Sequence, residues 1–158
     1  MKKINILALV LSIAIAELTG ALSALLSGNL SGMYEQLKQP PLSPPSILFP
    51  IVWTILYALM GAAAYFVWDS VRGSKEERTE ALTFYVAQLI VNFFWSIIFF
   101  RFEAYWLSVA VIILLDILVI VTMLKFRNIN RLSYWLMIPY LIWLLFATYL
   151  NIGVAVLN

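Results

Sequence analysis

The chain has no cysteine and no histidine among its 158 residues, and only 11% of them are charged. Without cysteine there is no disulfide, no thiol nucleophile and no thiolate metal ligand. Without histidine there is no imidazole general base, and a haem iron would have to take Met or Tyr as its axial ligand. No metal site is expected. The shortage of charge excludes still more, because a soluble domain carries about a quarter charged residues to wet its surface. A net charge of +2, for all the pI near 8.9, is too small and too scattered to point to nucleic acid.

What fills the chain instead is apolar: 64% of residues are hydrophobic and the mean hydropathy is +0.97. The apolar residues come in long runs, the mark of a bilayer protein, and a spanning helix needs about 20 of them. Runs at about residues 4–26, 47–68, 81–100, 105–124 and 132–157 predict an all-α membrane protein, a bundle of five transmembrane helices forming a single domain over residues 1–158. Lys2-Lys3 before the first run also has the form of a signal peptide cleaved after Ala24, but the run is long and Glu17 interrupts it. Residues 27–46 form the long connection, rich in Gly, Ser and Pro. Pro40-Pro41 and Pro44-Pro45 stiffen it into a lid rather than a free tether.

Lys2, Lys3, Arg72, Lys75, Arg78, Lys125, Arg127 and Arg131 fall on one side of this layout, and Lys38 and Arg101 on the other. The positive-inside rule therefore puts the amino terminus in the cytoplasm and the carboxy terminus outside the cell membrane. Trp68, Tyr105, Trp106, Tyr134 and Trp135 sit near span ends, where amphipathic rings settle at headgroup depth.

Polar residues within the runs each need a reason. Gln88, Asn92 and Ser96 repeat every four residues in span three, with Trp95 beside them. Trp53, Tyr57 and Gly61 do so in span two, and Pro139, Trp143, Ala147 and Asn151 in span five. Each set shares one helix face. Facing inward, the three stripes build either an aromatic-walled ligand cavity or a seam of interhelical hydrogen bonds. Ala16, Gly20, Ala24 and Gly28 in span one form a ridge of small residues for packing inside the bundle or for a dimer contact. Glu17 and Asp116, the carboxylates within the spans, read as protonated structural groups, proton-relay sites or ion partners. Arg101 and Glu103 read as a solvated pair.

Several stretches go further than composition. They are Pro40-Pro41-Leu42-Ser43-Pro44-Pro45, Phe49-Pro50-Ile51-Val52-Trp53-Thr54-Ile55-Leu56-Tyr57, Gln88-Leu89-Ile90-Val91-Asn92-Phe93-Phe94-Trp95, and Pro139-Tyr140-Leu141-Ile142-Trp143 followed by Phe146-Ala147-Thr148-Tyr149-Leu150-Asn151. In order, spacing and five-span layout they resemble the TspO/MBR family of tryptophan-rich sensory proteins, over nearly the whole chain, as a bacterial member. The resemblance implies a five-helix bundle, often a homodimer, with a cavity closed by the first loop. The implied ligands are tetrapyrroles such as protoporphyrin IX and lipophilic small molecules including isoquinoline and benzodiazepine drugs, with no cofactor required. Trp53, Asn92, Trp95, Trp143 and Ala147 match the family's cavity positions, and Tyr57, Gln88 and Asn151 share their stripes. Light-dependent oxidative breakdown of porphyrin is implied from some bacterial relatives, with Trp53 and Trp143 as the side chains acting on it. The porphyrin propionates would seek Lys38 or Arg101. Transport of tetrapyrroles and a stress-response scaffold without turnover are the alternatives. One departure is that Ile152 to Asn158 lacks the Tyr and basic residue that end animal members, which puts sterol binding there in doubt.

Overall fold

The computed structural model describes residues 4–158, so Lys2 and Lys3 lie outside the described residues. Five helices are long and apolar enough to cross a bilayer: α1 (Ile6–Ser27), α3 (Leu48–Trp68), α4 (Lys75–Ser96, continued by a π-helical turn Ile97–Arg101), α5 (Tyr105–Ile129) and α6 (Arg131–Leu157). A short α2 (Leu30–Gln36) lies in the first connection. There is no strand among the described residues. The protein is an all-α, multi-pass membrane protein.

Local chemistry sets the helix ends. Asn5 accepts a hydrogen bond from the Ala8 amide and Asn29 from that of Gly32, each capping the helix that follows. Span three starts at Lys75, earlier than hydropathy suggests, because Ser74 and Glu77 form a capping box. Its first turn is polar and adds helix where there is no hydrophobic run. Asn130 alone separates α5 from α6; its side chain accepts from the amides of Leu132 and Ser133. A turn of that length forces the two helices to run antiparallel and in contact.

The helices form a closed ring. α1 packs on α3, α3 on α6, α6 on α5, α5 on α4, and α4 returns to α1. Wide apolar side chains such as Leu7, Leu11, Leu18 and Leu25 point outward from α1, where lipid takes the place of water. Small residues and hydroxyls make the inward contacts. Ser12 Oγ donates to the Gly61 carbonyl at 2.7 Å, Ser23 Oγ to the Phe93 carbonyl at 2.7 Å, and Ser133 Oγ to the Ala63 carbonyl at 2.8 Å. The ridge on α1 is turned into the bundle at Ala16, which is buried, and at Gly20, where a Cβ would overlap the Tyr57 ring, while Gly28 is exposed past the helix end. Arg101 Nη1 donates to the Leu26 carbonyl at 3.1 Å and forms no ion pair with Glu103 among the described residues; the ion pair found there is Lys125–Glu80 at 2.7 Å.

Backbone meets backbone at Gly61, where an added Cβ would lie 2.5 Å from the Ile13 Cα and 2.8 Å from the Ser12 carbonyl oxygen. These are backbone atoms, so relief requires α1 and α3 to separate. Gly61→Val should therefore destabilise the bundle by about 1–3 kcal/mol, read as an earlier thermal unfolding midpoint in detergent. An unchanged midpoint would show that α1 is not held at this crossing.

Candidate functional site: an aromatic cavity under a helical lid

A cavity of about 320 Å³ opens between α1, α3 and α4 beneath α2, within the usual range for ligand sites. Its aromatic wall is Phe49, Trp53 and Tyr57 from α3, Trp95 from α4, and Phe100 from the π-helical turn. α1 lines the other side with Glu17, Gly20, Ala21, Ser23 and Ala24. The small side chains of α1 leave the volume that the rings enclose. In the π-helical turn the Phe102 amide reaches back to the Ile97 carbonyl at 3.1 Å. This wider turn gathers Phe99 and Phe100 against Trp95, with ring centroids 5.7 and 6.4 Å away.

The predicted stripes divide between wall and support. Trp53, Tyr57, Asn92 and Trp95 line the cavity; Gln88, Trp143, Ala147 and Asn151 do not. The supporting amides act on the wall from behind. Asn92 Nδ2 donates to the hydroxyls of Tyr57 and Tyr140 at 3.2 and 3.3 Å. Tyr140 in turn donates to Gln88 Oε1 at 2.8 Å, and Gln88 Nε2 reaches the Met60 sulfur at 3.7 Å. Trp95 Nε1 donates to Asn151 Oδ1 at 2.8 Å, while Asn151 Nδ2 donates to Ser108 Oγ at 2.9 Å. With Gln88 at 0% and Asn151 at 1% exposure, neither opens onto the cavity; Asn151 fixes Trp95 on the wall, and Gln88 holds Tyr140 behind it. Cavity and hydrogen-bonded seam are thus two sides of one arrangement.

Trp143 stands one ring away. Its ring meets the edge of Phe49 at 5.8 Å, and it lines a separate groove between α3 and α6 with Val52, Pro139 and Phe146. Its indole Nε1 is buried and meets no acceptor among the described residues. Ala147 is buried in the core. Asp116 belongs to the α5–α6 seam, where the Thr148 hydroxyl donates to Oδ2 at 2.9 Å.

The lid is more structured than a proline-rich loop suggests. The Tyr34 hydroxyl donates to the Pro44 carbonyl at 2.8 Å, and its ring packs on Phe49 at 4.8 Å. Burial there pushes the Tyr34 hydroxyl pKa up, partly offset by a hydrogen bond with Ser43. Beyond α2 the chain is fastened to the end of α6. The Lys38 amide donates to Asn158 Oδ1 at 3.0 Å, Asn158 Nδ2 donates to the Lys38 carbonyl at 2.9 Å, and the Tyr149 hydroxyl donates to the Pro41 carbonyl at 2.8 Å. A Cβ on Gly153 would lie 2.5 Å from the Pro40 ring. Neither Lys38 nor Arg101 lines the cavity.

These features define a multi-pass membrane protein built round an internal aromatic cavity with a helical lid. The chain belongs to the TspO/MBR family, whose pattern matches residues 8–157. It is 37% identical over 155 residues to the tryptophan-rich protein TspO of Archaeoglobus fulgidus, covering 98% of this chain and 99% of that one. It is 37% identical over 125 residues to the tryptophan-rich sensory protein of Cereibacter sphaeroides, covering 79% and 76%. With the translocator protein of Homo sapiens it shares 32% identity over 118 residues, covering 75% and 70%.

Two outcomes follow from the support behind the wall and the fastening of the lid. Asn151→Leu leaves the buried Trp95 N–H without an acceptor and should cost about 1–3 kcal/mol; in a Trp95→Phe background the same change should cost markedly less, a coupling that a double-mutant cycle in thermal unfolding measures. Gly153→Val should push Pro40 off α6 and raise hydrogen exchange across residues 30–42, with exchange in α5 unchanged. Equal exchange in both proteins would mean that the lid is not held there.

Proposed function

We propose that this protein holds protoporphyrin IX and related flat, lipophilic molecules in the cavity between α1, α3 and α4, and that it promotes their light-dependent oxidative breakdown. The carrying observation is the wall of Trp53, Tyr57, Trp95 and Phe100. Ring faces of this kind stack on an aromatic ligand without demanding one pattern of polar groups. Such a wall would also take isoquinoline- and benzodiazepine-type drugs. At about 320 Å³ the cavity is at the small end of ligand sites, so a four-ring macrocycle would enter with α2 displaced and the clasp on α6 opened.

No acid–base residue is needed for this chemistry. The porphyrin absorbs the light, dioxygen is the oxidant, and the protein supplies an enclosed site with an oxidisable indole against the macrocycle. Trp53 is on the wall and is best placed for that exchange; Trp143 stands behind Phe49 and would act only through it or after the lid has moved. The membrane orientation we favour has the amino terminus in the cytoplasm, which puts α2 at the outer face. A homodimer would form through lipid-facing surfaces, since Ala16 is buried and Gly20 packs on Tyr57 within the bundle.

The test is absorbance of protoporphyrin IX bound to the purified protein, in light and in darkness. Loss of the porphyrin bands in light, with a new product and tight binding in the dark, is the expected result. Trp53→Phe should slow the light reaction severalfold, and Trp143→Phe should slow it less. Bleaching at the wild-type rate in both variants would remove the role given to these indoles, and porphyrin that does not bind would overturn the proposal.

A further inference from the structure

Glu17 faces the cavity, and neither the aromatic wall nor the hydrogen-bonded seam behind it uses its carboxylate. On each helix the lining residues run from the lid inward: Ala24 to Glu17 on α1, Phe49 to Tyr57 on α3, Phe100 to Asn92 on α4. The innermost members, Glu17, Tyr57 and Asn92, therefore form the floor. The near-contact of Gly20 with the Tyr57 ring, one turn from Glu17, fits this depth. Counting down from the end of α1 at Ser27, Glu17 lies about 15 Å along the helix, near the middle of a hydrocarbon layer about 30 Å thick.

A carboxylate at that depth is expensive and ordinarily finds a partner within the protein. This one does not. Its oxygens receive no hydrogen bond and no ion pair from any described residue, and no lysine or arginine lines the cavity. Arg101, the arginine nearest in the chain to the cavity wall, is engaged by the Leu26 carbonyl. No interhelical hydrogen bond among the described residues depends on Glu17, so it is not glue. Asp116, by contrast, is bonded at Oδ2 across a helix seam by Thr148, while its Oδ1 is buried away from the cavity without a hydrogen bond from any described residue. What remains is an unpartnered carboxylate at the bottom of an aromatic pocket.

We propose that Glu17 is a recognition site for a protonated amine, so that the cavity takes lipophilic aromatic amines with the nitrogen inserted first. An ammonium on that floor gains the Glu17 charge in a low-dielectric site, and the faces of Trp53, Tyr57 and Trp95 add attraction for a cation. The aromatic body then fills the space up to Phe49 and α2. Carboxylates are repelled from the same floor, so the propionates of a porphyrin would stay at the lid end. The proposal rests on the cavity being a ligand site, as above, but not on porphyrin being the ligand.

The experiment uses three probes of similar shape: 1-naphthylmethylamine, the near-isosteric hydrocarbon 1-ethylnaphthalene, and the anion 1-naphthylacetate. Each is titrated calorimetrically against the protein in nonionic detergent, with protein-free micelles subtracted. The wild-type protein should bind the amine at least about tenfold more tightly than the hydrocarbon, a difference of about 1.4 kcal/mol, and the acetate most weakly. Glu17→Gln should remove most of that margin while hydrocarbon affinity stays within about twofold, which shows that the cavity is intact. Glu17→Asp, keeping the charge, should keep a preference for the amine. Equal binding of amine and hydrocarbon, an amine preference that survives Glu17→Gln, or no binding of any probe would overturn the proposal. Protoporphyrin IX titrated alongside separates the two proposals: an amine preference without porphyrin binding defeats only the porphyrin assignment.

Discussion

Within hydrocarbon there is no water to satisfy a polar group, and that constraint organises this molecule. Every buried amide or hydroxyl must find a partner on a neighbouring helix or remain at a cost. Around the cavity several of those partners are aromatic, Asn92 with Tyr57 and Tyr140, Tyr140 with Gln88, Trp95 with Asn151, and elsewhere they are backbone carbonyls, as for Ser12, Ser23 and Ser133. Interhelical hydrogen bonds in membranes are worth only about 0.6 kcal/mol each on average, so the network's larger effect is geometric. It holds large rings at set angles around a space they would otherwise collapse into, and small residues on α1 keep that space open.

The same economy shapes the lid. A connection with two proline pairs has little conformational freedom to lose, and the structure fastens it at Asn158, Gly153 and Tyr149 of α6. The end of α6 thus serves as a clasp for the first connection, although the two are far apart in the chain. Its Asn and Gly work through backbone bonds and close approach, and neither task calls for an aromatic or basic side chain.

Hydropathy made the five spans legible, and four-residue spacing made the stripes legible, because both depend on properties of a single helix. The start of α4 was also written in the sequence, in the Ser74–Glu77 capping box; a search for apolar runs passes over it because its first turn is polar. α2 had a comparable signal in the Asn29 cap, masked by the prolines after it. What could not be read was which residue on a stripe faces the cavity and which faces a neighbour. Asn92 and Gln88 share one face of α4, yet only Asn92 reaches the lining, because the tilt and order of the ring decide depth. Trp53 and Trp143 looked equivalent for the same reason: each lies on an aromatic stripe, and only the packing of α3 against α6 leaves Trp53 on the lining and Trp143 off it, against Phe49. The ridge on α1 suited a dimer as well as a bundle, because spacing does not say which way a face turns; at Gly20 it turns to Tyr57 inside the bundle.

The π-helical turn at Ile97–Arg101 makes backbone length a variable in its own right. Successive residues of an α-helix are about 100° apart around the axis, and a wide turn accommodates one residue more than an ordinary turn does. Losing that extra residue would let the turn close to an ordinary α-helical one with the flanking helix kept in register, so the change would fall on the turn's own rings, Phe99 and Phe100, without any substitution in the cavity. Relatives that differ by one residue at this point would present a different ring to the same space. Selectivity in such a site can therefore drift through gain or loss of a residue where every wall-forming side chain is retained.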